Sequence, residues 1–185
     1  MEKKDSLLKD ILQVVVIVVA IWAVFGIVFK FFLSNDTVSG TSMQPTFESG
    51  DRVIALRNSK LQRGDIVILK APDEPGALYI KRVIGTPGDS LKYQNDKLYI
   101  NGKEVKEPYL TKGKKEFNSK GQLYTENFSL QSKHLGKSVP KDSYFVMGDH
   151  RNVSKDSRYF GYVKKSAIIG KVIWRYWPLN SMKTF

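Results

Sequence analysis

Between Ile11 and Phe29 the chain runs for nineteen residues with no charged side chain and one strongly polar one, Gln13. As a helix this run covers about 28 Å, close to the hydrocarbon thickness of a bilayer. It is apolar all round, whereas a helix lying on a soluble core carries a polar stripe. A cleaved leader has a shorter apolar core followed by an Ala-x-Ala-like site. Here Ser34-Asn35-Asp36-Thr37-Val38 follows, without small residues at both required positions. We therefore expect an uncleaved transmembrane anchor over residues 11–33. Lys3, Lys4 and Lys9 precede the run, and Lys30 lies at its far end. That bias puts the tail, residues 1–10, in the cytoplasm and residues 34–185 outside it.

Composition narrows the chemistry. There is no cysteine, which excludes a thiol nucleophile, disulfides and thiolate metal sites. With two histidines, His134 and His150, a histidine metal cage is not expected. The net charge is +12, and residues 34–185 carry 26 Lys/Arg against 15 Asp/Glu. Such an excess favours anionic partners such as lipid headgroups, cell-wall polymers or nucleic acid, and it also serves plain solubility.

Past residue 40 the pattern turns to short apolar or alternating runs. Arg52–Arg57, Ile66–Lys70, Leu78–Ile84, Lys97–Ile100, Tyr144–Met147 and Ile168–Tyr176 read as strands. Gly50-Asp51, Gly64-Asp65, Pro87-Gly88-Asp89 and Gly148-Asp149 read as turns between them, and Asn101-Gly102 as a tight hairpin. No helical stripe of useful length follows residue 40, so we expect a mainly β domain of strongly bent antiparallel sheets. Residues 111–138 are polar, lysine-rich and weakly periodic, and read as a partly mobile insertion on that β-core.

Ser42, in Ser-Gly-Thr-Ser-Met-Gln-Pro-Thr (39–46), is separated from Leu33 by eight residues. A linker of that length reaches at most about 30 Å, so Ser42 stays near the membrane surface if the fold turns back. A serine becomes a nucleophile when a base lies within hydrogen-bond reach. His150 beside Asp149 invites a triad, although a loop histidine next to a turn aspartate gives the same pattern. Lysine is the other base for serine once burial lowers its pKa. Lys81 lies in the apolar strand pattern Leu78–Ile84, with Tyr79, Lys81 and Val83 on one face and Ile80, Arg82 and Ile84 on the other. Alternation alone leaves open which face is buried, and an edge lysine in solvent is the plain alternative.

Four segments, in order, resemble the type I signal peptidases, membrane-bound serine–lysine endopeptidases, in their short single-span bacterial form. They are Gly-Thr-Ser-Met-Gln-Pro-Thr-Phe (40–47), Gly-Asp-Ile-Val-Ile-Leu (64–69), Tyr-Ile-Lys-Arg-Val-Ile-Gly-Thr-Pro-Gly-Asp (79–89) and Met-Gly-Asp-His-Arg-Asn-Val-Ser-Lys-Asp-Ser-Arg-Tyr-Phe-Gly (147–161). The resemblance implies Ser42 as nucleophile and Lys81 as general base. It also implies Ser154 as the hydroxyl that holds the lysine amine, with Asp149, Asp156 and Arg158 buttressing the site. Two positions depart from the pattern. His150 stands where asparagine is usual, and Gly40 stands where some relatives place a serine oxyanion donor, which leaves backbone N–H groups, chiefly that of Ser42.

What the resemblance implies is removal of signal peptides from exported preproteins at Ala-x-Ala-like sites. It implies no cofactor and no metal. The expected partners are membrane-held signal peptides and an anionic lipid surface, with no nucleic acid, and the chain is expected to act as a monomer in the bacterial cell membrane. Self-cleaving repressors share the Ser–Lys chemistry but carry a soluble or DNA-binding N-terminal part, which the 11–29 run opposes. A non-enzymatic tethered module would be expected to lack the serine or the lysine. A nucleic-acid binder fits the charge, but no such motif is present.

Overall fold

The computed structural model describes residues 2–185, with side chains from Lys9 onward. Met1, at the head of the expected tail 1–10, lies outside the described residues, as do the side chains of Lys3 and Lys4. Helix α1 (Glu2–Phe31) contains the apolar run. Within Lys9–Phe31 an eighteen-residue stretch reaches a mean hydropathy of 2.9, and none of that stretch is buried by the rest of the protein. Ile11, Leu12, Trp22 and Phe25 all stand exposed on it. An apolar surface of this length with no protein cover needs a bilayer to cover it.

The stretch read as a linker is not one. Strand β1 (Leu33–Thr37) starts one residue after α1 ends and pairs along its full length with β2 (Arg52–Leu56). Arg57 pins the joint, its N–H donating to Phe32 O at 2.8 Å and its Nε to Leu33 O at 3.0 Å. The polar sequence LSNDT hides this strand. The Ser34 hydroxyl bonds to Asp36 within it, and the pairing partner lies twenty residues away.

The fold is mainly β, and its sheet pairings are antiparallel. The larger sheet adds β3 (Ile66–Lys70), β4 (Leu78–Gly85), β9 (Ser143–Met147), β10 (Val163–Lys164), β11 (Ile168–Trp177) and β12 (Lys183–Thr184). Its order is β1-β2-β11-β3-β4-β9-β10, with β12 on β11. Register shifts in β4–β9, β11–β2 and β11–β3 are where the sheet bends. A second sheet, β7-β6-β5-β8, is built from β5 (Leu91–Gln94), β6 (Lys97–Ile100), β7 (Lys103–Val105) and β8 (Phe128–Ser129). Asn101 and Gly102 both take positive φ, 51° and 79°, and make the β6–β7 hairpin that the sequence signals.

Three apolar clusters hold these layers. Met43 and Phe47, flanking the Ser42 turn, pack with Val53, Ile66, Ile80 and Val172. Val67, Val83, Tyr144 and Val146 fill a second cluster, and Phe145 and Met147 of β9 join the second sheet through Tyr93, Leu98 and Phe128. Burying residues of this kind contributes roughly 1.5–3 kcal/mol each. The Ser42 turn is therefore fastened by the apolar residues on both sides of it.

Residues 111–138 hold a helix, although no helical stripe of useful length is legible after residue 40. Helix α2 (Thr111–Asn118) opens the segment, and its later part enters the core through buried Tyr124, Phe128 and Leu130. Backbone N–H groups of Tyr124 and Thr125 bond to the Asp96 carboxylate at 2.9 and 2.7 Å. These long-range contacts override a weak local pattern.

A chain beginning at Phe32 should fold, because β1 remains. A chain beginning at Val38 should lose the edge strand and melt roughly 4–8 °C lower, the shift expected for about 2 kcal/mol in a domain of this size. Circular dichroism melts of the two truncations check this.

Candidate active site

Two segments meet at the mouth of a cleft. The turn 39–47 carries Ser42, anchored by Met43 and Phe47, and strand β4 carries Lys81. Burial is unbroken from Ile80 to Gly85, so both faces of β4 are covered and Lys81 is 3% exposed. Its Nζ lies 2.7 Å from Ser42 Oγ and 5.2 Å from the centre of the Tyr79 ring. Burial lowers the Lys81 amine to about 8, with Asp156 and Asp73 pulling the other way. A lysine of that pKa holds a useful neutral fraction near neutrality and can take a proton from the hydroxyl it touches.

Arg82, the next residue on β4, points its guanidinium at Asp149. Nε–Oδ1 is 2.8 Å and NH2–Oδ2 is 2.5 Å, and the carboxylate is fully buried. Asp149 also accepts from Thr46 Oγ1 at 2.5 Å, so one carboxylate bridges the lysine strand and the serine turn. Burial works against the Arg82 charge, but the bonds to Asp149 outweigh it and hold the guanidinium above its ordinary pKa. Asp156 caps the short helix α3 (Ser157–Phe160), binds Arg158 through both oxygens and accepts from Gly148 N–H at 3.1 Å. Arg158 donates on to the carbonyls of Arg151 and Ser154. Together these bonds fix the loop 148–158 against the turn.

Ser154 is 2% exposed, and its Oγ makes no hydrogen bond. The lysine-holding bond implied for it is therefore absent from this arrangement. Its hydroxyl and the Ser42 carbonyl both crowd Gly148. A Cβ at Gly148 would fall 2.2 Å from Ser154 Oγ and 2.4 Å from Ser42 O, so only glycine lets the loop approach this near. His150 does not face the nucleophile as a base. Its N–H donates to Ser42 O at 3.0 Å, and its Nδ1 lies 3.1 Å from Thr41 O. Gly40 sits at φ +83°, where a serine would be strained. The Ser42 N–H has no protein acceptor among the described residues and is available to an oxyanion.

The cleft beside Ser42 and Lys81 has a volume of ≈ 110 Å³ and is lined by β1, by Val38 and Ser39, and by Leu78, Tyr79 and Ile80. It is smaller than the roughly 300 Å³ at which drug-sized ligand sites begin, and its apolar walls suit small side chains.

Sequence reasoning missed a buried polar cluster behind the loop. The Arg151 side chain is fully buried, donating to Glu107 at 2.6 Å, Tyr93 Oη at 2.5 Å and Gly148 O at 3.0 Å. Burial raises the Glu107 carboxyl, but Arg151 outweighs it and holds the group below its usual pKa. Tyr124 Oη donates to Asp149 O at 3.0 Å. Nothing local in the sequence marks these partners, which lie 25 to 58 residues apart.

A family model described as signal peptidase, peptidase S26, matches residues 10–177. Among curated relatives, signal peptidase IB of Staphylococcus aureus (strain COL) is 37% identical over 183 residues, covering 95% of this chain and 94% of its own. Signal peptidase I of Bacillus caldolyticus is 45% identical over 154 residues, covering 81% of this chain and 82% of its own. A crystal structure of a signal peptidase I from Enterococcus faecalis V583 superposes with a TM-score of 0.58 at 42% identity, over 61% of this chain and 97% of that one.

Burying the lysine has a cost that can be measured without substrate. The folded amine has the lower pKa, so below about 8 both states are charged and the whole penalty is present. From about 8 up to the ordinary 10.5 the folded amine is neutral while the unfolded one is still charged, so the penalty fades as pH rises. Lys81→Met should therefore gain up to about 3 kcal/mol at pH 7 and show no such rise with pH. Urea denaturation of both proteins at pH 7 and pH 10 checks the sign.

Proposed function

The chain belongs to the signal peptidase family, peptidase S26, and on that premise we propose that it is a membrane-anchored serine endopeptidase working through Ser42 and Lys81. Removal of signal peptides is the activity that family membership supports. The observation that carries the mechanism is the 2.7 Å contact between Lys81 Nζ and Ser42 Oγ with the amine buried.

In this reading, neutral Lys81 takes the Ser42 proton as Oγ attacks the scissile carbonyl. The oxyanion forms against the Ser42 N–H, since Gly40 offers no side chain. Lys81 then gives its proton to the leaving amine, which departs with the mature chain, and the acyl group stays on Ser42 Oγ. The freed amine next takes a proton from water as the water oxygen attacks the ester; the acyl–Oγ bond breaks, the peptide leaves with a new carboxyl terminus, and Lys81 returns its proton to Ser42 Oγ. Ser154 Oγ, buried and unpaired, is available to hold the amine when it turns from Ser42. Asp149, Asp156 and Arg158 keep the turn and loop in register.

The small cleft accounts for a preference for small residues at positions −3 and −1, as in Ala-x-Ala, because larger side chains meet its walls. The substrate docks as an added strand between the β1 and β4 edges. Preproteins held in the same bilayer by their own apolar segments reach the site at raised local concentration. The reading includes a single span with the N-terminus cytoplasmic, a catalytic domain outside acting as a monomer, and a basic surface that favours anionic lipid over nucleic acid.

Ser42→Ala and Lys81→Ala should each lower cleavage of an Ala-x-Ala preprotein by roughly 10³-fold or more, with unchanged circular dichroism. Appreciable turnover by either purified variant would sink the dyad. The wild-type kcat/KM should climb through pH 8 and level off above it, as the buried amine loses its proton. A flat profile between pH 6 and 10 would speak against Lys81 as the base.

A further inference from the structure

Beyond Ser42, on the side away from the small cleft, lies a second cavity of ≈ 440 Å³, four times the volume of the first. Pro45 and His150 border it next to the serine turn, and Lys112, Gly113, Phe117 and Tyr124 form its far wall. We propose that this cavity is a subsite for the residues that follow the scissile bond, the start of the mature chain, and that α2 sets its preference. The proposal rests on the Ser42–Lys81 reading given above.

Three observations carry it. The first is continuity. The reacting carbonyl must sit between Ser42 Oγ and the Ser42 N–H, with the acyl half in the cleft along β1 and β4. The leaving half then passes the Ser42 carbonyl, where His150 N–H is bonded, and His150 is itself a wall of the second cavity. The second is that the wall is built rather than loosely apposed. A Cβ on Gly113 would fall 2.4 Å from Tyr124 Cζ, so α2 lies against that ring at a distance only glycine permits. Phe117 packs on the same ring with centroids 5.2 Å apart, and Tyr124 Oη donates to Asp149 O. Helix α2 is thereby tied to the loop that positions the reacting pair. The third is chemical character. Phe117 and Pro45 offer apolar surface. On the rim, Glu116 is paired with Lys120, Glu48 keeps its charge while accepting from the neutral Gln44 beside Pro45, and Lys112 on the α2 wall has no ion-pair partner among the described residues. An extended peptide carrying an acidic side chain a few residues past the scissile bond fits this rim.

The test uses the full-length enzyme and peptides identical before the scissile bond. One ends a single residue after it, and two continue for four residues with Asp or Lys at the third. Extension with Asp should raise kcat/KM about tenfold over the short peptide. Phe117→Ala should remove most of that gain, read as the ratio of extended-peptide to short-peptide kcat/KM for the same variant. Lys112→Glu should lower the Asp-over-Lys preference about fivefold, more at low salt. Equal kcat/KM on the short and extended peptides, or an Asp-over-Lys ratio untouched by Lys112→Glu, would overturn the subsite. Cleavage of the short peptide by Ser42→Ala would instead fault the dyad, so the two failures read differently.

Discussion

The buried carboxylate of Asp149 is the joint on which the site depends. It receives two bonds from Arg82, the immediate neighbour of Lys81, and a third from Thr46, four residues past Ser42. The strand and the turn come from different parts of the chain, and apolar packing alone would let them slide by a few tenths of an ångström. A charged, bidentate bond in a fully buried setting does not slide, because leaving either partner unpaired there costs several kcal/mol. The 2.7 Å spacing of Lys81 and Ser42 is thus held by a neighbouring ion pair, and the reacting atoms are spared any structural duty.

That division of labour leaves burial free to lower the pKa of Lys81. The amine lies by the Tyr79 ring in a buried strand, and the acids that act on it are each paired elsewhere, Asp156 with Arg158, Asp73 with Lys155 and Asp149 with Arg82. The loop that carries those acids is itself nailed down from behind by Arg151 and Glu107, which couple it to the second sheet. The two β-layers therefore share one polar interior, with the reacting pair at its open end.

Much of this was legible in the sequence, and the reason differs by element. The six strands read from alternation and β-branched runs are strands, because each puts apolar residues into the core and its pattern reflects that directly. Lys81 was visible as a charge in an apolar strand, and Ser42 through the segment around it. Strand β1 was not, because its residues are polar and its structure comes from pairing with β2. Nor was the role of residues 111–138, whose lysines disguise the few aromatic residues, Phe117, Tyr124 and Phe128, that fasten the segment to the loop and the core. The bond implied for Ser154 failed for a geometric reason that sequence does not carry. The hydroxyl is buried, without a partner, tight against Gly148.

The direct passage from α1 into β1 has a consequence for scale. With Phe32 alone between helix and strand, and Arg57 clamping both sides, the enzyme has no slack between its apolar rod and the floor of its cleft. On the proposed activity, the height of the cut above the bilayer is a built-in length, like the gap between a fence and a blade. A polypeptide drawn up beside the rod would be measured before it is severed, in steps of about 3.3 Å per extended residue. Side-chain size would then select among the few peptide bonds that this gauge presents.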